Sequence, residues 1–241
     1  MIQDATFSRA ELVSMTNVPD DVIAHWVKMG IIQPEQAAQG KGRHRSFHAR
    51  EVNKVAIIAR LREFRCSIDL LRFVSSVIDR AYALQKQYPS LNPYRFYVPA
   101  SHFHTYREFV SGGPALVRDF EDGGFVNRRA TSLEHITHLD SRDYSSEEMD
   151  AIHSIITSHY DSDIDRLALN VASDLSWESI SSNLVRDIWL IWPNGVSWEI
   201  YSSSGEDLSG LRIMPEAAMF LHISRILKPL WGQEYVSSWD A

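Results

Sequence analysis

Cysteine is nearly absent: Cys66 is the only one in 241 residues. A lone thiol cannot close an internal disulfide and cannot supply a thiolate metal cluster. Nor is there an apolar run approaching the roughly 18–20 residues that span a bilayer. The opening MIQDATFSRAEL has neither a basic n-region nor an apolar h-region, so no export signal and a cytoplasmic location are expected. G-x-S-x-G, Walker A, H-E-x-x-H and G-x-G-x-x-G are all missing, which leaves enzyme activity unsupported and no cofactor expected. No internal repeat or low-complexity tract is visible.

Positive charge is also scarce overall, with a formal net charge of −7. That balance excludes a protein that coats nucleic acid over its whole surface, but association responds to the field at the docking face. Split by position, residues 1–90 carry 13 Lys/Arg against 9 Asp/Glu, while 91–241 carry 11 against 22. The chain is therefore a +4 segment followed by a −11 segment. Apolar residues make up 44%, ordinary for a globular chain, and the length favours two modest domains.

Local signals organise the first segment. Ser8 three residues before Glu11 is a capping-box pattern that starts a short helix. Asn17 tolerates a left-handed turn, and Pro19-Asp20-Asp21 opens a second helix with Ile23 and Trp26 on its apolar stripe and Gly30 as its stop. Two short helices on a tight turn make a helix-turn-helix pattern. Gly40 and Gly42 then frame a turn, with Arg43, Arg45 and Phe47 alternating as in a short β-hairpin. Helical periodicity returns over 50–65, and Ser67 caps a helix over about 68–87. Pro89 and Pro93 place a boundary there, giving domains at 1–88 and 93–241.

The second segment reads as mixed α+β. YRFYV (94–98) fits a strand, 103–121 a helix broken at Gly112-Gly113-Pro114, and 147–170 one amphipathic helix. Residues 185–192 and 196–202 flank Pro193-Asn194-Gly195, a strong hairpin signal, and 215–228 fit a terminal helix. Six of the seven tryptophans follow residue 176. Trp189 and Trp192 fall on opposite faces of a strand, so the cluster is either a core with a covered second face or an aromatic pocket or partner surface.

Chemistry concentrates at 41–65, where Lys41, Arg43, Arg45, Arg50, Lys54, Arg60, Arg62 and Arg65 meet only Glu51 and Glu63. A solvated helix face would also carry such a run. Its position after a two-helix turn favours cations that anchor a helix on DNA phosphates. The pairs His102/His104, His135/His138 and His153/His159 lack a fixed-spacing carboxylate or Cys partner, so a metal is not expected. Asp161-x-Asp163-x-Asp165 begins like a calcium loop, but Arg166 stands where Gly is needed; it reads as a solvated or capping acidic turn.

FSRAELVSMTNVPDDVIAHWVKMGIIQP, followed by GRHRSFHAREVNKVAIIARLREFRCSIDLLRFV, resembles the MerR-type winged-helix regulators over about residues 7–80. The carrying features are Trp26 before Gly30-Ile31-Ile32-x-Pro34, a basic wing with Arg45-x-Phe47, and a helix entered through Arg50-Glu51-Val52. The resemblance implies an α+β chain with an N-terminal winged helix-turn-helix that regulates transcription on double-stranded DNA. It also implies a homodimer and contact with RNA polymerase, with no membrane involved. It puts Asp20, Asp21, His25 and Lys28 on the recognition helix, and Lys41, Arg43, His44, Arg45 and Phe47 in the wing. Three features depart from the family pattern: Ala24 replaces the usual Arg, Asn17 the usual inter-helix Gly, and Pro89 and Pro93 interrupt the path of the dimerising coiled coil. An alternative is a winged-helix docking protein of phage, plasmid or recombination machinery whose acidic domain binds a protein. A third is a winged helix that has become a protein-binding module.

Overall fold

A computed structural model describes residues 5–35, 45–121, 124–139, 142–182, 188–203 and 216–232. The chain begins with β1 (Thr6–Ser8) and α1 (Arg9–Thr16), and the expected capping box is present: the Glu11 backbone N–H donates to the Ser8 hydroxyl, and the Ser8 N–H to the Glu11 carboxylate. Asn17 takes the left-handed conformation, φ 56° and ψ 24°, and its N–H closes onto the Val13 carbonyl at 2.8 Å. That bend sends the chain into α2 (Asp20–Lys28). Gly30, at φ 70°, ends it in a Schellman arrangement, with Ile31 N–H on the Trp26 carbonyl and Gly30 N–H on that of Val27.

β2 (Ser46–His48) pairs antiparallel with β1, Phe47 opposite Phe7. Then follow α3 (Ala49–Glu63) and α4 (Ile68–Gln87), the latter capped by Ser67 as the sequence predicts. Leu12, Ile23, Trp26, Ile31, Phe47, Val52, Val55 and Ile58 interlock as the core of this part.

The rest is α+β. After a 3₁₀ turn at Pro93–Arg95 come α5 (Tyr97–Val110), the hairpin β3 (Leu116–Glu121) and β4 (Gly124–Arg129), and α6 (Leu133–Thr137). Next are α7 (Ser146–His159), α8 (Asp163–Leu175) and α9 (Trp177–Ser181). The chain continues through β5 (Ile188–Asn194), β6 (Ser197–Ser203), β7 (Met219–His222) and α10 (Ile223–Leu230). β5 is central in an antiparallel sheet of order β6-β5-β7. The expected hairpin forms, but its turn is Gly195-Val196, with Gly195 at φ 61°, and Pro193 and Asn194 belong to β5, Asn194 opposite Ser197.

Four local expectations are corrected. The 94–98 segment is a 3₁₀ turn running into α5, not a strand, because Asn92 caps it by accepting from Tyr94 N–H. Helix stops at Val110, and 116–121 is a strand paired with β4. The 147–170 helix is two, divided where the Ser162 hydroxyl accepts from Asp165 N–H and restarts the helix as α8. The 215–228 segment is half strand, since Met219–His222 fills the second edge of β5. Trp189 is fully buried and Trp192 only half-buried, as the opposite-face argument requires.

α4 lies along α8, and one apolar cluster runs continuously from Leu12 through Val77 and Leu167 to Leu227. The Arg80 guanidinium on α4 grips Asp165 on α8, and His159 Nδ1 sits 2.7 Å from the same carboxylate. Burial opposes ionisation of Asp165, yet Arg80 and His159 hold its carboxyl below the usual range. Asp165 is therefore interior and paired, not part of a solvated acidic turn.

Candidate nucleic-acid interface

α2 is amphipathic in the sense a recognition helix requires. Ile23 and Trp26 are buried in the core, while Asp21, His25 and Lys28 are exposed. Their spacing of four and three residues places those three side chains on one face. Asp20 is also exposed, but its carboxylate is held bidentate by Arg9 of α1. This pair lowers the Asp20 pKa through the Arg9 hydrogen bond and fastens the start of α2 to α1. To accept from a base, Asp20 would have to leave Arg9. Ala24, in the position of the family's usual Arg, is half-buried and offers no donor.

Glu35 and β2 flank the segment in which the sequence reading expects a wing. Glu35 N–H donates to the Ser46 carbonyl at 2.8 Å, the Ser46 hydroxyl to the Glu35 carboxylate at 3.2 Å, and His48 Nε2 lies 3.2 Å from Glu35. These contacts hold Glu35 beside β2. Lys41, Arg43 and His44 lie outside the described residues. Arg45, the next residue, is exposed. Phe47 is wholly buried, so it anchors β2 to the core and presents no surface to a duplex.

The basic run of 41–65 also divides. Lys54 is wholly buried, its ammonium 2.6 Å from Asp79 and 3.0 Å from Glu51. It is an internal counter-ion and contributes nothing to the docking field. Glu51, itself buried, also accepts the Gln33 N–H at 2.9 Å, which ties the segment after α2 onto α3. Burial raises the Glu51 pKa despite the field of Lys54. Arg60 is paired with Glu63 at the surface. Arg50, Arg62 and Arg65 stay exposed.

The histidine pairs His102/His104, His135/His138 and His153/His159 lie outside residues 1–90. Among the described residues no group of three or more His, Cys, Asp or Glu is placed to hold a metal. His102 is mostly buried, and its pKa is pushed down to about 4 by desolvation and then by the neighbouring His138 and His153. Among the described residues no helix is long and apolar enough to cross a membrane.

Residues 7–74 match the family model described as MerR HTH family regulatory protein. The N-terminal part is therefore a MerR-type helix-turn-helix, a class of DNA-binding transcription regulators. No curated protein and no solved structure gives a significant match to the chain. The family match ends within α4, so it does not reach the acidic α+β part.

Proposed function

We propose that this chain regulates transcription by reading a duplex site with α2 in the major groove and the loop above the Glu35–Ser46 stem on the flanking phosphates. The observation that carries the reading is the division of α2. Trp26 and Ile23 lock the helix inward, and Asp21, His25 and Lys28 face out on the second helix of the segment that matches the MerR helix-turn-helix family. Lys28 on the groove face and Lys41, Arg43, His44 and Arg45 on the wing supply the cations. Asp20 sets the helix through Arg9, and Phe47 sets the wing from beneath.

The working unit is a homodimer on two half-sites, in a cytoplasm, with RNA polymerase as a partner at the promoter. The apolar stripe of α4 is occupied by α8 of the same chain, so the dimer contact falls on another face. Functionally the chain divides as 1–88, the reader, and 93–241, the part that receives an effector or partner.

The test is binding-site selection with the full chain, with its mass measured in the same buffer. Fluorescence anisotropy against salt then follows on the selected site. Arg43→Ala and Arg45→Ala should each reduce the salt slope by about 0.9 and weaken binding alike on all sequences. Lys28→Ala should weaken binding and change the selected bases. Unchanged slopes would remove the wing from the interface. Enrichment of one non-promoter array, rather than promoter palindromes, would favour the docking-protein alternative.

A further inference from the structure

A cavity of about 650 Å³ lies where α3 begins, α4 ends and α9 meets the chain after α10. Its volume is within the range of small-molecule sites. Two half-buried indoles form part of its wall: Trp177 and Trp231 meet edge to face with centroids 6.1 Å apart. Trp231 is held in place because its indole N–H donates to Asn53 Oδ1 at 2.8 Å. Asn53 Nδ2 in turn donates to the Tyr82 hydroxyl at 3.0 Å. That leaves the Tyr82 O–H as a donor with no acceptor among the described residues, on a phenol that burial keeps un-ionised.

The charged lining leans positive. Arg50 and Lys86 are exposed on the lining, and neither forms an ion pair among the described residues, while Glu178 is the one carboxylate there. The lining also includes the first turn of α3, whose cap residue His48 makes no side-chain capping bond. The Ala49 N–H of that turn donates to the Ala5 carbonyl, and the positive end of the helix dipole adds to the field. Glu51 in that turn is already committed to Lys54 and Gln33 N–H.

From these features we infer that the cavity binds a small planar aromatic carboxylate, its ring against Trp177 and Trp231 and its carboxylate toward Arg50, Lys86 and the Tyr82 hydroxyl. The site joins the two functional parts. Trp231 also packs on Phe7 of β1 at 5.8 Å, and β1 carries β2, the strand that leaves the wing. Occupancy thus bears on the wing stem through Trp231 and α3. This regulatory consequence rests on the DNA-binding reading above; the binding itself does not.

The test is calorimetric titration of the full chain with indole-3-acetate and 1-naphthoate, with the corresponding amides as neutral controls. At least one acid should bind about tenfold tighter than its amide, the scale of a charge-assisted contact of about 1.4 kcal/mol. Arg50→Gln and Lys86→Gln, both surface changes, should remove that preference and leave amide binding unaltered. Trp177→Leu should weaken acid and amide together. No binding of either acid at millimolar concentration, or equal affinity for acid and amide, overturns the assignment. DNA anisotropy with and without the bound acid is read separately. An unchanged DNA affinity refutes coupling to the wing, and absence of DNA binding altogether refutes the DNA-binding reading while the calorimetric result stands.

Discussion

Lys54→Met places the sharpest demand on the account of the basic segment. A solvated phosphate-binding lysine could be replaced with little effect on stability, whereas Lys54 is a buried counter-ion to Glu51 and Asp79. Met keeps most of the side-chain volume and removes the charge. Asp79 is 38% exposed and can recover water, but Glu51 is 3% exposed and retains only the Gln33 N–H. Leaving one partner of a buried pair uncompensated costs about 3–5 kcal/mol, a large share of the roughly 5–15 kcal/mol of a typical domain. Adding Glu51→Gln should recover about 2 kcal/mol or more, because Gln is neutral and its carbonyl still accepts from Gln33.

The pH dependence gives a second, independent reading. A carboxyl whose folded pKa lies above its unfolded value contributes stability below the unfolded pKa and loses it as pH rises. Burial already raises the Glu51 pKa, and removing Lys54 raises it further. The deficit of Lys54→Met against the parent should therefore be small near pH 4.5, the unperturbed carboxyl value, and grow with pH. The slope approaches about 1.4 kcal/mol per pH unit while Glu51 is still protonated in the fold. Urea unfolding followed by tryptophan fluorescence at about pH 5 and about pH 7.5 reads both effects. A cost under about 1 kcal/mol at the higher pH, or one that is the same at both, refutes the buried-counter-ion reasoning.

Further expectations concern other levels of the structure. His102 prefers the neutral form in the fold, with a pKa pushed down to about 4; stability should fall as pH drops from about 6.5 toward 4, and His102→Gln should flatten that limb of the urea midpoint against pH. Asn17→Ala should cost about 1 kcal/mol in thermal unfolding, because alanine has no side chain to ease the left-handed conformation, while Asn17→Gly should be neutral or stabilising. Ser8→Ala should cost about 1 kcal/mol through the lost cap of α1, read by the same measurement. Trp231→Phe should lower stability by about 1 kcal/mol through the lost Asn53 bond and weaken any aromatic acid bound beside it, as calorimetry would show.

Much of the N-terminal helix-turn-helix was legible because its signals act within a few residues. The Ser8–Glu11 box, the Asn17 turn, the Gly30 stop and the Ser67 cap all appear where the sequence puts them. The outward face of α2 was legible for the same reason, since helical period separates Ile23 and Trp26 from Asp21, His25 and Lys28. Lys54 was misread as part of a basic surface. The Glu51–Lys54 spacing of three residues hinted at a pair, but its burial depends on α4 lying over α3 and bringing Asp79 within 2.6 Å. Phe47 does lie on a short strand, β2, but it is wholly buried and not at a contact surface, because alternation does not say which face the core takes.

Sequence alone determined a MerR-type helix-turn-helix at about residues 7–80, which the family match bears out over 7–74, a hairpin around residues 193–196 and the contrast between a basic first part and an acidic second. These are short-range facts, set by backbone dihedrals, caps and composition. Tertiary structure decided that α4 packs on α8, that Met219–His222 is a strand on β5, and that Trp231 meets Asn53, 178 residues away. The physical reason is that an amphipathic stripe demands burial without naming its partner. Choosing among partners is a matter of complementary surfaces far apart in the chain, and that choice created both the buried counter-ion at Lys54 and the cavity beside Trp231.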